Sequence, residues 1–218
     1  MKKIGPVLLI LLLVVIGCKL PRFLTGGSKG ATATGGSDPK ADVVAASKKF
    51  IDLPFFTAKM DGVGQTEIKS QVEYFAPDRY RIKYLGGTGK GMEMIWIGKD
   101  SYMKLNEGWV KMATVEATLP TLRDSFTEEG LKSLTDVKFE GEDTVDGKSA
   151  LAYSYKNVTP VGNYPFTSKI WIGYDTGVPM KVYVEYTNGT LKNMTVNYDT
   201  ESKVTIEPPT NMLAPPTK

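Results

Sequence analysis

Two spacings in this chain place a nucleophile near a base. Ser37-Asp38-Pro39-Lys40 and Ser101-Tyr102-Met103-Lys104 both have the Ser-x-x-Lys form, in which a lysine amine relieves a serine hydroxyl of its proton during acyl transfer. Neither is accompanied by the other motifs that such enzymes carry. A chain rich in Ser and Lys produces such matches by chance, and the first lies in a linker and the second on a predicted strand. The 218 residues contain no histidine, which removes the commonest general base, the Ser-His triads and most zinc sites. A single cysteine leaves no disulfide framework, iron–sulfur cluster or Cys-type zinc site within one chain. The acids Glu67, Glu73, Glu93, Glu140 and Glu142 fall on wet strand faces or turns, not on an apolar side where a buried general acid belongs. Gly86-Gly87-Thr88-Gly89-Lys90-Gly91 precedes no helix, so it is a hairpin tip and not a phosphate cradle. No catalytic residue, metal ligand or cofactor is assigned, and the chain is expected not to be an enzyme.

The remaining reactive group is Cys18. It follows Val15-Ile16-Gly17, a sequence that resembles a bacterial lipobox, where the thiol receives a diacylglyceryl group and the chain is cut before the cysteine. Met1-Lys2-Lys3 supplies a positive start, and the apolar run from Val7 to Ile16 is half the roughly 20 residues that a spanning helix wants. Two or three acyl chains hold a protein firmly, since each buried CH₂ contributes about 0.8 kcal/mol and one chain alone is marginal. Residues 1–17 are thus expected to be a lipoprotein signal peptide, and Cys18 a lipid anchor on the extracytoplasmic face of a bacterial envelope. With Lys19 following the cysteine, that means the outer membrane in a Gram-negative cell and the outer face of the plasma membrane otherwise. Formal charge is +3, and two of those positives are Lys2 and Lys3, so the rest is near neutral and carries no nucleic-acid footprint.

The composition, 41% hydrophobic and 23% charged, fits a globular domain and neither a disordered nor a polytopic chain. Residues 18–37 are rich in Gly, Thr, Ser and Ala and form a flexible tether. Residues 38–207 form the folded domain, and 208–218 a Pro-rich, extended surface tail. The domain opens with a helix capped by Ser37 or Asp38, with Pro39 at its first position and an apolar face of Val43, Val44, Ala46, Phe50, Ile51 and Leu53, limited by Pro54. The period then switches to two, the mark of antiparallel sheet with one wet and one dry face. Asp146-Gly147 and Asn188-Gly189 mark tight hairpins. About ten or eleven strands follow as a meander, interrupted by the helical spacing of Leu119, Leu122, Phe126, Leu131 and Leu134, with Pro120 and Gly130 as flex points.

The dry face is what these elements position. In the first half it carries Val72, Tyr74, Tyr80, Ile82, Tyr84, Met92, Met94 and Trp96. In the second half it carries Tyr153, Tyr155, Ile170, Ile172, Val182, Val184, Met194 and Val196. One helix and a short helical excursion must cover all of it. Two readings stand: an ordinary dry core, or a half-barrel with an unfilled apolar cavity whose methionines adapt to acyl chains of varied shape.

A family resemblance bears on that choice. Tyr74-Phe75-Ala76-Pro77-Asp78-Arg79-Tyr80-Arg81, Trp96-Ile97-Gly98-Lys99-Asp100-Ser101-Tyr102-Met103-Lys104, Val145-Asp146-Gly147-Lys148 and the segment from Ile170 to Lys181 follow one another in order after the lipobox. Together, over most of residues 39–206, they resemble the periplasmic carriers of the LolA/LolB type and the mycobacterial LppX/LprG lipoproteins. The resemblance implies an α+β, mainly antiparallel fold: an eleven-strand half-barrel wrapped around an N-terminal helix and short lid helices, with a hydrophobic cavity for acyl chains. The expected partners are a membrane, through the anchor, and a lipid or acylated ligand held by a monomer for lipid or lipoprotein transport or envelope maintenance. The rival expectation is a structural lipoprotein with a filled core that binds an envelope protein and no lipid. Cys18→Ser should give unprocessed or soluble protein in membrane fractionation; a variant that still sediments with membranes, matured and detergent-dependent, would rule out the lipobox.

Overall fold

The structure is a computed structural model that describes residues 35–65, 67–112, 123–158 and 164–213, so the expected signal segment, Cys18 and most of the tether lie outside the described residues. The described chain begins with helix α1, Pro39–Ile51. The Asp38 carboxylate accepts from the Ala41 amide at 3.0 Å, Pro39 sits where no amide donor is needed, and Lys48 and Lys49 sit at the negative end of the helix dipole. The buried stripe is Val43, Ala46, Ser47 and Phe50, spaced three to four residues apart as the sequence predicts.

Eleven strands follow: β1 Phe55–Gly64, β2 Ile68–Phe75, β3 Arg79–Gly86, β4 Glu93–Ile97, β5 Asp100–Lys104, β6 Trp109–Met112, β7 Thr135–Val145, β8 Lys148–Val158, β9 Pro165–Gly173, β10 Pro179–Tyr186 and β11 Leu191–Asp199. They form one open, curved antiparallel sheet in the order β6-β5-β4-β3-β2-β1-β11-β10-β9-β8-β7. The half-barrel and the strand number expected from the sequence are both found. Two meanders, β1–β6 and β7–β11, are joined where β1 pairs with β11, with Met60 opposite Val196. The turns follow from their residues: Asp146 and Gly147 have φ of 49° and 79°, the paired positive values that a two-residue hairpin loop of this type requires. The two edges, β6 and β7, are connected by the segment 113–134, whose described part holds a 3-10 turn, Asp124–Phe126, and the short helix α2, Glu128–Leu131.

Each edge is irregular in its own way. In β7 the register slips between Thr135 and Lys138 and again between Phe139 and Gly141, with Asp136 at φ 54° and Gly141 at φ 114°. At β6 the C-terminal segment lies alongside: the Trp109 amide donates to the Asn211 carbonyl at 2.8 Å and the Leu213 amide to the Trp109 carbonyl at 2.7 Å.

The C-terminal segment is built into the fold as far as residue 213. Ile206 is fully buried, and the Arg79 guanidinium donates to its carbonyl at 2.7 Å. Ile95 also departs from the simple alternation. It pairs with Arg81 and Tyr102 on the outer face, where the sequence pattern expects water, yet it is 1% exposed. The tail crosses on that side, since Arg79 points outward next to the inward Tyr80. Ile206→Ala should therefore cost about 2–5 kcal/mol in urea unfolding, as for other fully buried aliphatic truncations. A loss near zero would mean that the tail is merely appended.

Candidate functional site

Register assigns the concave face residue by residue, because partners across an antiparallel ladder share a face. Phe56, Tyr74, Tyr80 and Trp96 form one row, and Ala58, Val72, Ile82 and Met94 the next. On the other side Met60, Val196, Val182, Ile170 and Tyr153 form a third. Of the residues expected to face inward, Val72, Tyr74, Tyr80, Ile82, Trp96, Tyr153, Tyr155, Ile170, Ile172, Val182, Val184 and Val196 are buried in a single cluster. Tyr84, Met94 and Met194 are half-buried and pack against it. Met92 differs. It precedes β4 and is 39% exposed, at the hairpin end where its amide donates to the Gly89 carbonyl and its carbonyl accepts from the Tyr84 amide.

The centre of this face is filled with aromatic rings. Phe50 of α1 meets Phe56, Phe126 and Tyr198 with ring centroids 4.9, 4.7 and 4.8 Å away. The Tyr153 hydroxyl donates to Asp42 of α1 at 2.9 Å. Burial, reinforced by that carboxylate, pushes the Tyr153 phenol far above its usual value, and burial does the same to Tyr198. Both stay neutral donors at any ordinary pH. The concave face therefore offers apolar surface and uncharged hydroxyls, not acid–base chemistry.

The crossing segment is fastened across the face at both ends. Arg123 donates to the Tyr74 hydroxyl at 2.6 Å and to the Ile51 carbonyl at the C-terminus of α1, while its guanidinium lies 4.4 Å from the Tyr74 ring centroid. Farther along, the buried Asn157 of β8 donates to the Gly130 carbonyl at 2.8 Å and accepts from Ser133, and Lys40 of α1 donates to the Leu134 carbonyl at 3.0 Å. Gly130 is not a flex point: a Cβ there would sit 2.1 Å from the Asp124 carbonyl oxygen, so it marks a close backbone approach. Of the expected lid, residues 119–122 lie outside the described residues. Neither Arg123 nor Asn157 was legible as a fastener.

Beyond the aromatic centre the concave face is less complete. Met94 pairs with Met103 and Met103 with Val110, while Met112 shares its row with Trp96 through Ser101. All but Ser101 and Trp96 are half-buried, as are Tyr84 and Met194. At one end of the sheet large apolar residues reach solvent: Val63 closes β1, Leu85 closes β3, Met92 precedes β4, Leu105 follows β5 and Tyr164 precedes β9. A cavity of about 750 Å³ lies elsewhere, on the outer face at the opposite end.

The other candidate groups do not converge. Ser101 points inward and Lys104 outward to Glu93 at 3.2 Å, as residues three apart on a strand must. Glu73 and Glu93 lie on the wet face, where Arg81 bridges them at 3.2 and 3.6 Å. Among the described residues no three of His, Cys, Asp and Glu gather as a metal site, and no helix is long and apolar enough to cross a membrane.

This geometry has counterparts among solved structures. The lipoprotein LppX of Mycobacterium tuberculosis superposes with a TM-score of 0.62 at 14% identity, over 78% of this chain and 98% of that one. LprF of Mycobacterium bovis gives 0.59 at 12% identity, over 78% and 96%. The chain has the LppX fold. No protein-family model and no curated protein matches the sequence, so the likeness to LppX rests on the arrangement of strands and helix. If Arg123 is what binds the crossing segment to α1 in this version of the LppX fold, Arg123→Met should lower stability by about 1.5–3 kcal/mol, the range for hydrogen bonds to a charged group. Amide exchange at residues 124–134 should rise in parallel; unchanged protection there would show that Phe126, Asn157 and Lys40 hold the segment without Arg123.

Proposed function

We propose that this protein is a lipid-anchored, non-enzymatic binder of acyl chains on the extracytoplasmic face of a bacterial envelope, serving lipid or lipoprotein transport or envelope maintenance. The observation that carries the reading is the half-buried wall of Tyr84, Met94, Met103, Val110 and Met112 beside a fully packed aromatic centre. Unbranched, polarizable methionines accommodate chains of differing shape, and an apolar surface left half-open at the edge of a core is where such a chain gains burial. An acyl chain would enter from the end where Val63, Leu85 and Leu105 are exposed. Cys18 supplies the anchor, and a Gly/Ser/Thr-rich tether of this length has an r.m.s. reach of roughly 25 Å, enough for the domain to work beside the bilayer.

The filled centre favours a second reading, in which the sheet serves a protein partner and no lipid is carried. Native mass spectrometry of the chain from residue 38 onward separates the two: co-purified lipid supports carriage, and a clean apo mass favours the partner. Position-specific substitutions sharpen the test. Met103→Trp should abolish uptake of the fluorescent fatty acid cis-parinaric acid with little change in melting. Val196→Trp, inside the packed cluster, should instead lose stability by about 1–3 kcal/mol through overpacking. Wild-type protein with no saturable uptake and no co-purified lipid would end the acyl reading.

A further inference from the structure

The cavity on the outer face belongs to neither the acyl wall nor the crossing segment. Its floor is made of Thr57 and Lys59 of β1, Asn197 of β11 and Met180 of β10. Its walls are the β7–β8 turn, the β9–β10 loop and residues 199–202. Three loops far apart in sequence converge there because β1, β8, β10 and the ends of β9 and β11 meet at one end of the sheet. An ion pair between Lys148 and Glu201, at 2.7 Å, ties two of the walls together.

Charge, size and shape narrow what this groove can hold. Lys148 and Glu201 neutralise each other, and the Asp199 carboxylate accepts from the Glu201 and Ser202 amides at 2.9 and 3.0 Å, closing its own turn. Lys59, Asp146, Asp175 and the still-charged Asp199 remain, one cation among three dispersed carboxylates, which disfavours an anion. The Thr57 and Ser149 hydroxyls and the Asn197 amide, each able to donate and accept, have no hydrogen-bond partner among the described residues. No unpaired strand edge borders the floor, since β1, β11 and β10 are central strands, so a peptide has no ladder to join. Tyr174, 39% exposed, lines both this cavity and an adjoining one of about 190 Å³. At about 750 Å³ the groove falls in the usual range of small-molecule sites.

We propose that this groove binds a neutral carbohydrate. The Tyr174 ring would take the flat C–H face of a sugar, and Thr57, Ser149 and Asn197 would exchange hydrogen bonds with its hydroxyls. Tyr198 of the aromatic centre also lines the groove, but none of the acyl wall Tyr84, Met94, Met103, Val110 and Met112 does, so the site is distinct from acyl binding. The groove opens at the end of the sheet opposite the exposed apolar residues.

The test is an NMR titration of the protein with three soluble trisaccharides, chitotriose, mannotriose and maltotriose. The expected result is saturable binding of at least one, with Kd of roughly millimolar order or tighter. Shifts should centre on residues 146–149, 174–176 and 197–202. Tyr174→Ala should weaken binding about tenfold and Tyr174→Phe should retain it, because the ring face rather than the hydroxyl does the stacking. Asn197→Ala should weaken it severalfold, and Met103→Trp should leave it unchanged. If none of the three binds wild-type protein, or if Tyr174→Ala melts like wild type and binds equally well, the carbohydrate site does not exist. Either result would leave acyl binding untouched.

Discussion

Curvature gives this sheet a concave apolar face, and the described chain supplies thirteen residues of helix α1 and a short crossing segment to cover it. Much else in the molecule follows from that disproportion. Helix α1 approaches β7 and β10, so the second meander receives most of the cover. The ring cluster around Phe50 closes the middle with large side chains where backbone is lacking. Beside Trp96 and Ser101, the concave face of β4 to β6 carries methionine and valine. Interiors packed to crystal density resist any added atom, whereas a methionine wall open on one side does not. A rigid centre and a yielding flank thus coexist on one face.

A cover this small must be held in place by more than apolar contact. Arg123 joins three things that would otherwise touch only loosely: the crossing segment, the C-terminal end of α1 and β2. Its charge suits that place, since the last carbonyls of a helix carry partial negative charge and the Tyr74 ring offers a π face. Asn157 performs the same service from β8 with a neutral amide that both donates and accepts. Helix, segment and sheet are therefore bound as one unit, and the close passage of Gly130 beneath Asp124 is the steric cost of it.

What could be read in the sequence was local. Alternation along β2, β3 and β11 identified which side chains face inward, and Asp38 with Pro39 located the start of α1, because both signals lie within a few residues of what they determine. Met92 escaped because it lies at the exposed hairpin end between β3 and β4, beyond the packed part of the face. Ile206 escaped because it is buried where the chain returns to Arg79, more than a hundred residues earlier, and Ile95 because its burial on the outer face breaks the strand period. Met103 was hidden inside a Ser-x-x-Lys match, and the outer groove is assembled by turns that the sequence keeps apart. The strands were legible; the tertiary meetings between them were not.

The two borders of the sheet have a consequence of their own. A strand with a free, regular border is a template on which another chain can add itself, and repeated addition makes fibres. Here β6 already hydrogen-bonds residues 211–213, and β7 is broken by two register slips that twist its donors and acceptors out of line. Growth is blocked on both sides by different means. An open sheet of eleven strands that never closes into a barrel is in this way kept finite, and many copies can crowd together without one sheet continuing into the next.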